Sequence, residues 1–199
     1  MSTPGKPLRA DAQRNRQALL AKAREVFDAG EFFALRFDDF ARLAGVGTGT
    51  LYRHFPTREA LAEAVYHEEV VALCDRAGHL RATVPPLDAL TTFLRDMVGY
   101  LHAKRGLAQT LATLMAADSL AEGSRALEEA VTGLVDAAAE AGVVRGDVGA
   151  GPVMMALHGI GAAHERPAWR AEADGVITLV LDGLVQGAQP SSPNDSPAR

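Results

Sequence analysis

The chain has 199 residues, enough to bury a full core in one compact unit or in one small and one medium domain. At 48% hydrophobic and 23% charged it has the balance of a folded protein, no apolar run approaches the ~18 residues of a membrane span, and MSTPGKPLRADAQRNR lacks the apolar stretch of a secretion signal, so a cytoplasmic protein without a membrane partner is expected. The net charge of −5 is unevenly placed: through residue 60 there are ten basic and seven acidic side chains (+3), and the remaining ten basic and eighteen acidic ones carry −8, a basic head on an acidic body that suits a nucleic-acid partner.

Strand signals are nearly absent, because β-branched residues are scattered and no alternating run is bounded by hairpin turns. Residues 1–8, with Pro4, Gly5 and Pro7, read as a flexible arm. A first helix follows from about Asp11 to Ala29, with Leu19, Leu20, Ala23, Val26 and Phe27 on one face and Gly30 at its end. Two short helices, about Phe37 to Ala44 and Thr48 to His54, flank Gly45-Val46-Gly47. Pro56 stops the chain, and Thr57 is a suitable N-cap for a fourth helix that starts at Arg58 and continues through Leu73 and Leu80. On that helix the single cysteine, Cys74, has no disulfide partner and reads as a small buried hydrophobe or a redox-sensing thiol.

Pro85-Pro86 marks an interior boundary, beyond which Leu87, Leu90, Phe93, Leu94, Met97, Val98 and Leu101 share one helical face. Further helices are predicted from Gly106 to Ala116, Ser124 to Ala141, Pro152 to His164 and Trp169 to Gly187. The expected fold is all-α with about nine helices: a three-helix head containing a helix-turn-helix (residues 9–60), a larger helical domain for effector binding and dimerisation (61–189), and a disordered Pro- and Ser-rich tail (190–199).

The stretch GVGTGTLYRHF (45–55) raises a choice between a phosphate-binding loop and a turn between helices. A dinucleotide fingerprint G-x-G-x-x-G starting at Gly45 requires glycine where Thr50 stands, and a Walker A loop requires a lysine that is absent. Both loops also leave a strand, whereas Phe37, Phe40, Leu43 and Ala44 have helical spacing. A glycine-containing turn between two short helices is a helix-turn-helix, whose second helix enters the major groove. Leu51 and Phe55, four apart, anchor that helix and leave Thr48, Gly49, Tyr52 and Arg53 outward. Thr48 and Thr50 suit base edges or phosphates, Arg53 suits guanine, Tyr52 and His54 suit phosphate oxygens, and Gly49 allows close backbone approach.

The run AGVGTGTLYRHFPTREAL closely resembles the tetracycline-repressor (TetR) family signature, with a glycine-threonine-leucine-tyrosine run, a histidine-phenylalanine pair and a basic residue opening the next helix. The likeness covers about Arg14 to Val65, including Ala23-Arg-Glu-Val-Phe27. It implies a homodimeric regulator that binds a double-stranded DNA operator, usually a repressor released by a small-molecule effector. Carried over position by position, it makes Thr48, Thr50, Tyr52, Arg53 and His54 recognition contacts and puts Arg58 at a phosphate, in place of the family's usual lysine. Three positions depart from the pattern: Arg36 replaces a capping Ser or Thr, Gly47 replaces a Ser, and Phe40 replaces an isoleucine. The first two predict looser helix ends, and Arg36 could exchange the cap for a phosphate contact.

The acidic, helical second half is similar to the divergent effector domain of the same family, and Leu94 to Met115 is similar to its SbtR-like subset. A pocket there should be mostly apolar, and its candidates are Phe93, Met97, Tyr100, Leu111, Met115, Met154, Met155, His158 and Trp169, against the alternative of plain core packing. Val176, Ile177, Val180, Leu181, Leu184 and Val185 recur at helical spacing near the chain end, and Asp182-Gly-Leu184 resembles the last helix of many TetR proteins. With Leu157 and Gly161 on the preceding helix, Ile177, Val180, Leu181 and Leu184 form the expected homodimer seam. Two other classes compete. A helical adaptor leaves Thr48 to Arg58 unexplained, and a small helical enzyme finds neither H-E-x-x-H nor a nucleophile elbow, so no catalytic residue, metal or other cofactor is expected.

Overall fold

The computed structural model describes residues 6–103 and 117–185. Among them are eight α-helices and no strand: α1 (Lys6–Asp28), α2 (Phe37–Leu43), α3 (Thr48–His54), α4 (Arg58–Thr83), α5 (Pro86–Ala103), α6 (Ala117–Glu140), α7 (Ala150–Ala162) and α8 (Trp169–Val185). The helix expected from Gly106 to Ala116 and the tail at 190–199 lie outside the described residues. α1 begins at Lys6, five residues before the expected start. Pro7 does not prevent this, since its missing N–H falls in the first turn, where no intrahelical bond is made.

The chain forms two compact units, one extending through Val70 and including the segment near Leu120, the other holding residues 71–102 and those from 122 onward. The first unit has its own core, in which α1 packs on α2 and α3 and α2 packs on α3. Leu19, Leu20, Ala23 and Phe27 of α1 are buried there with Phe32, Phe40, Leu51 and Phe55. Phe32, in the linker after α1, stacks on Phe27 at 3.8 Å between centroids and meets Phe40 at 5.3 Å. Leu61, Ala62 and Val65 belong to the same core, so the first turns of α4 pack into the head. Arg24 on α1 pairs with both Glu68 and Glu69 on α4. The Thr57 hydroxyl accepts the Ala60 N–H at 3.2 Å, which makes it the N-cap of α4.

The second unit is built around Leu90, Phe93, Leu94 and Val98 of α5, Val131, Leu134 and Val135 of α6, and the buried faces of α7 and α8. The two last helices pack directly on each other. The Trp169 indole N–H donates to the Ile160 carbonyl at 2.6 Å, and the Arg145 N–H donates to the Leu184 carbonyl at 2.9 Å, tying the segment before α7 to the end of α8.

Candidate nucleic-acid interface

The turn between α2 and α3 has the geometry that its glycines predict. Gly45 has φ 67°, a left-handed conformation that a side chain would strain. The Val46 N–H donates to the Ala41 carbonyl at 2.9 Å and the Gly45 N–H to the Arg42 carbonyl at 3.2 Å, the paired bonds of a Schellman motif. The chain then reverses into α3, whose N-cap, Gly47, supplies backbone only. Leu51, fully buried, and Phe55, 2% exposed, hold α3 against the core of the first unit.

At the start of α2 the missing capping hydroxyl is replaced from inside the helix. Arg36 carries no acceptor, but the Asp39 carboxylate accepts the Arg36 backbone N–H at 3.1 Å. Arg42 donates to the same carboxylate at 3.1 Å. The bond from Arg42, followed by that from Arg36, holds the Asp39 carboxyl below the usual carboxylate range. The looser end expected from Arg36 is therefore compensated by a residue three positions later.

Thr48, Gly49, Tyr52 and Arg53 are exposed on α3, and Thr50 and His54 are half-buried. Arg53 makes no ion pair or hydrogen bond among the described residues, so its planar fork of donors is available to an outside acceptor. Arg36, just before α2, is exposed as well. Tyr52 is itself restrained: its hydroxyl donates to Asp38 Oδ1 at 2.8 Å and its ring stands edge-on to Phe37 at 5.4 Å. That bond, with partial burial second, pushes the phenol above its ordinary value.

Arg58, expected at a phosphate, is turned in part to its own head. Its guanidinium donates to the carbonyls of Phe32 and Leu35 and lies over the rings of Phe32 and Phe40, at 5.2 and 5.8 Å from their centroids. Two of its donors are thus taken up by the linker between α1 and α2, so it braces the head, a role that the sequence did not indicate. Sequence reasoning also missed Arg16, whose guanidinium sits 4.8 Å above the Phe55 ring, and Asp38. An acidic residue three after a helix start was a legible signal for Asp39; nothing local connects Asp38 with Tyr52.

In the second unit, Phe93, Met97, Met154 and Trp169 lie together in the core and Tyr100 is half-buried. Leu111 and Met115 lie outside the described residues. Met155, 76% exposed, and His158, also exposed, lie outside that buried core. Trp169 and Ile160 floor a cavity of about 300 Å³ between α7 and α8, rimmed by Ala156, Gly159, Ala163 and Val176. Most of the residues expected at the dimer seam are buried within their own unit. Leu157, Ile177, Leu181 and Leu184 are at most 7% exposed and Val180 packs beside them, all taken up by their own core, while Gly161 faces Leu101. Leu179, two residues and roughly 200° around the helix from Ile177, is 73% exposed, with Met155, Val176 and Val185 the other large exposed apolar side chains on these helices.

Residues 19–65 match the family described as bacterial regulatory proteins, tetR family, and residues 85–186 match the transcriptional regulator SbtR-like C-terminal domain. A TetR transcriptional regulator, SCO0520 of Streptomyces coelicolor, is 43% identical over 85% of this chain and 98% of its own, with a TM-score of 0.71. The TetR transcription regulatory protein of Mycobacterium vanbaalenii is 36% identical, covering 90% of this chain and 99% of its own at a TM-score of 0.72. The HTH-type transcriptional regulator SAR0097 of Staphylococcus aureus is 36% identical over 63 residues, which are 31% of this chain and 33% of that relative's length. With the helix-turn-helix built as described and both halves matched, the chain belongs to the TetR family of bacterial transcriptional regulators, with an SbtR-like C-terminal domain.

Proposed function

We propose that this regulator represses transcription by binding a double-stranded DNA operator as a homodimer and leaves it when a small-molecule effector binds. The observation that carries the reading is the division of α3: Leu51 and Phe55 are buried, while Thr48, Tyr52 and Arg53 are exposed. A buried anchor and a polar outer face are what a helix needs to enter the major groove, and Arg53 is the side chain suited to fork onto guanine. Operator binding is cytoplasmic chemistry, and no described helix is long and apolar enough to cross a membrane.

Two recognition helices are required to read half-sites one helical turn apart, which favours a symmetric pair. Met155 on α7 and Leu179 on α8 supply the exposed apolar surface for it. The effector site is assigned to the second unit, near Phe93, Met97, Met154 and Trp169. Coupling of effector to operator should amount to roughly 1–3 kcal/mol and be reciprocal.

The test is a titration of full-length protein with a duplex enriched by it from a random-sequence library. Arg53→Ala should weaken binding by about 1–3 kcal/mol and relax preference at one base pair, with the fold intact. Unchanged affinity and preference would show that the docking face is misassigned.

A further inference from the structure

Tyr52 lies on the outward face of α3 and 48% of it is exposed, yet it is not free to rotate. Phe37 stands edge-on to its ring, with the planes at 82°, and Asp38 Oδ1 accepts its hydroxyl proton at 2.8 Å across fourteen residues of sequence. A phenol has one proton to donate. Spent on Asp38, that proton cannot also reach a phosphate oxygen, and the oxygen left facing outward can only accept. The neighbouring acid differs: Asp39 is engaged by Arg42 and by the Arg36 backbone, whereas Asp38 makes no ion pair among the described residues, so its carboxylate puts a negative charge beside Tyr52, offset only in part by Arg36, that disfavours phosphate. In the major groove, the donors that an acceptor can read are the exocyclic amino groups of cytosine and adenine.

We propose that Asp38 is a positioning residue that makes Tyr52 an acceptor-only reader of a base amino group, N4 of cytosine or N6 of adenine, and thereby contributes sequence specificity at the expense of phosphate affinity. The inference rests on the DNA-binding reading above and reverses the phosphate role expected of Tyr52. The bond to Asp38 also raises the phenol's proton affinity, so the hydroxyl stays protonated and bonded at neutral pH. Asp38 touches no base in this arrangement; it acts through Tyr52.

The experiment uses full-length protein, the duplex that the wild type enriches from a random library, and the unselected pool as a second probe. The readout is the ratio of the two affinities. Asp38→Ala should lower that ratio about tenfold, the scale of one mismatched base pair, with pool binding equal or tighter because a negative charge is gone. Asp38→Asn keeps an oxygen acceptor for the tyrosine proton, so the ratio should stay within about twofold of wild type while pool binding tightens. Tyr52→Phe should lower the ratio as Asp38→Ala does, and the double variant should be no worse than either single one, as expected for residues acting as a unit.

The inference is overturned if Asp38→Ala tightens enriched duplex and pool alike with the ratio unchanged, the result of a hydroxyl released to a phosphate. It is equally overturned if Tyr52→Phe weakens both alike. Should the wild type enrich no duplex, the DNA-binding reading falls and this inference with it; enrichment with an unmoved ratio sinks this inference alone.

Discussion

Replacing Arg58 with alanine removes a guanidinium that bonds the Phe32 and Leu35 carbonyls and covers the rings of Phe32 and Phe40. Hydrogen bonds to a charged group are each worth about 1.5–3 kcal/mol, and each ring contact adds about 0.5–1 kcal/mol at a partly exposed site. Arg58 is half-buried, so water replaces part of both, and a net loss of about 2–4 kcal/mol is expected. The loss belongs to the first unit, whereas the single tryptophan, Trp169, lies in the second and would report on the wrong core. Hydrogen exchange of the α1–α3 amides is therefore the appropriate assay, and protection there should fall with α7 and α8 unaffected. Arg58→Lys should recover less than half of the loss, because one ammonium cannot fork onto two carbonyls and stack on rings. If Arg58→Ala leaves protection unchanged and instead lowers DNA affinity with a shallower salt dependence, Arg58 is a phosphate contact after all and the brace assignment is refuted.

Phe55→Ala should cost the first unit about 3–5 kcal/mol, since the ring is 2% exposed and carries Arg16 above it; a loss under about 1 kcal/mol in urea unfolding would contradict its role as the anchor of α3. Leu179→Glu should give a folded monomer in sedimentation, whereas Leu184→Glu, placing a charge at a 3% exposed site, should unfold the second unit; a tight dimer from Leu179→Glu would place the seam elsewhere. Asp39 titrates below its ordinary value of 3.8 in the folded chain, so its contribution is present at neutral pH and lost as pH falls through the folded value. Exchange protection at the start of α2 should accordingly drop on acidification below about pH 4. Asp39→Asn should remove that pH dependence, and an unchanged acid profile in the variant would count against the cap.

Much of the head was legible because its determinants are local. Leu51 and Phe55 fall one helical turn apart, Gly45 stands where a helix end needs a left-handed residue, and Thr57 precedes α4 as a cap; each is set by neighbours within about five residues. Element boundaries shifted by a few residues for a similar reason, Pro7 being as compatible with a helix start as with an arm. Roles that depend on what lies across the fold were not legible. Periodicity marks Arg58 as basic and first in its helix, but only the linker carbonyls and rings brought beside it turn the guanidinium inward. The same holds for Asp38 and Tyr52, which meet only because α2 and α3 cross. On α8 the sequence by itself determined an apolar helix with Val176, Ile177, Val180, Leu181, Leu184 and Val185 recurring at helical spacing. Only tertiary packing separated them, burying Ile177, Leu181 and Leu184 in the core of the second unit and leaving Val176, Val185 and the neighbouring Leu179 exposed, because a helix can turn only one stripe to its own core.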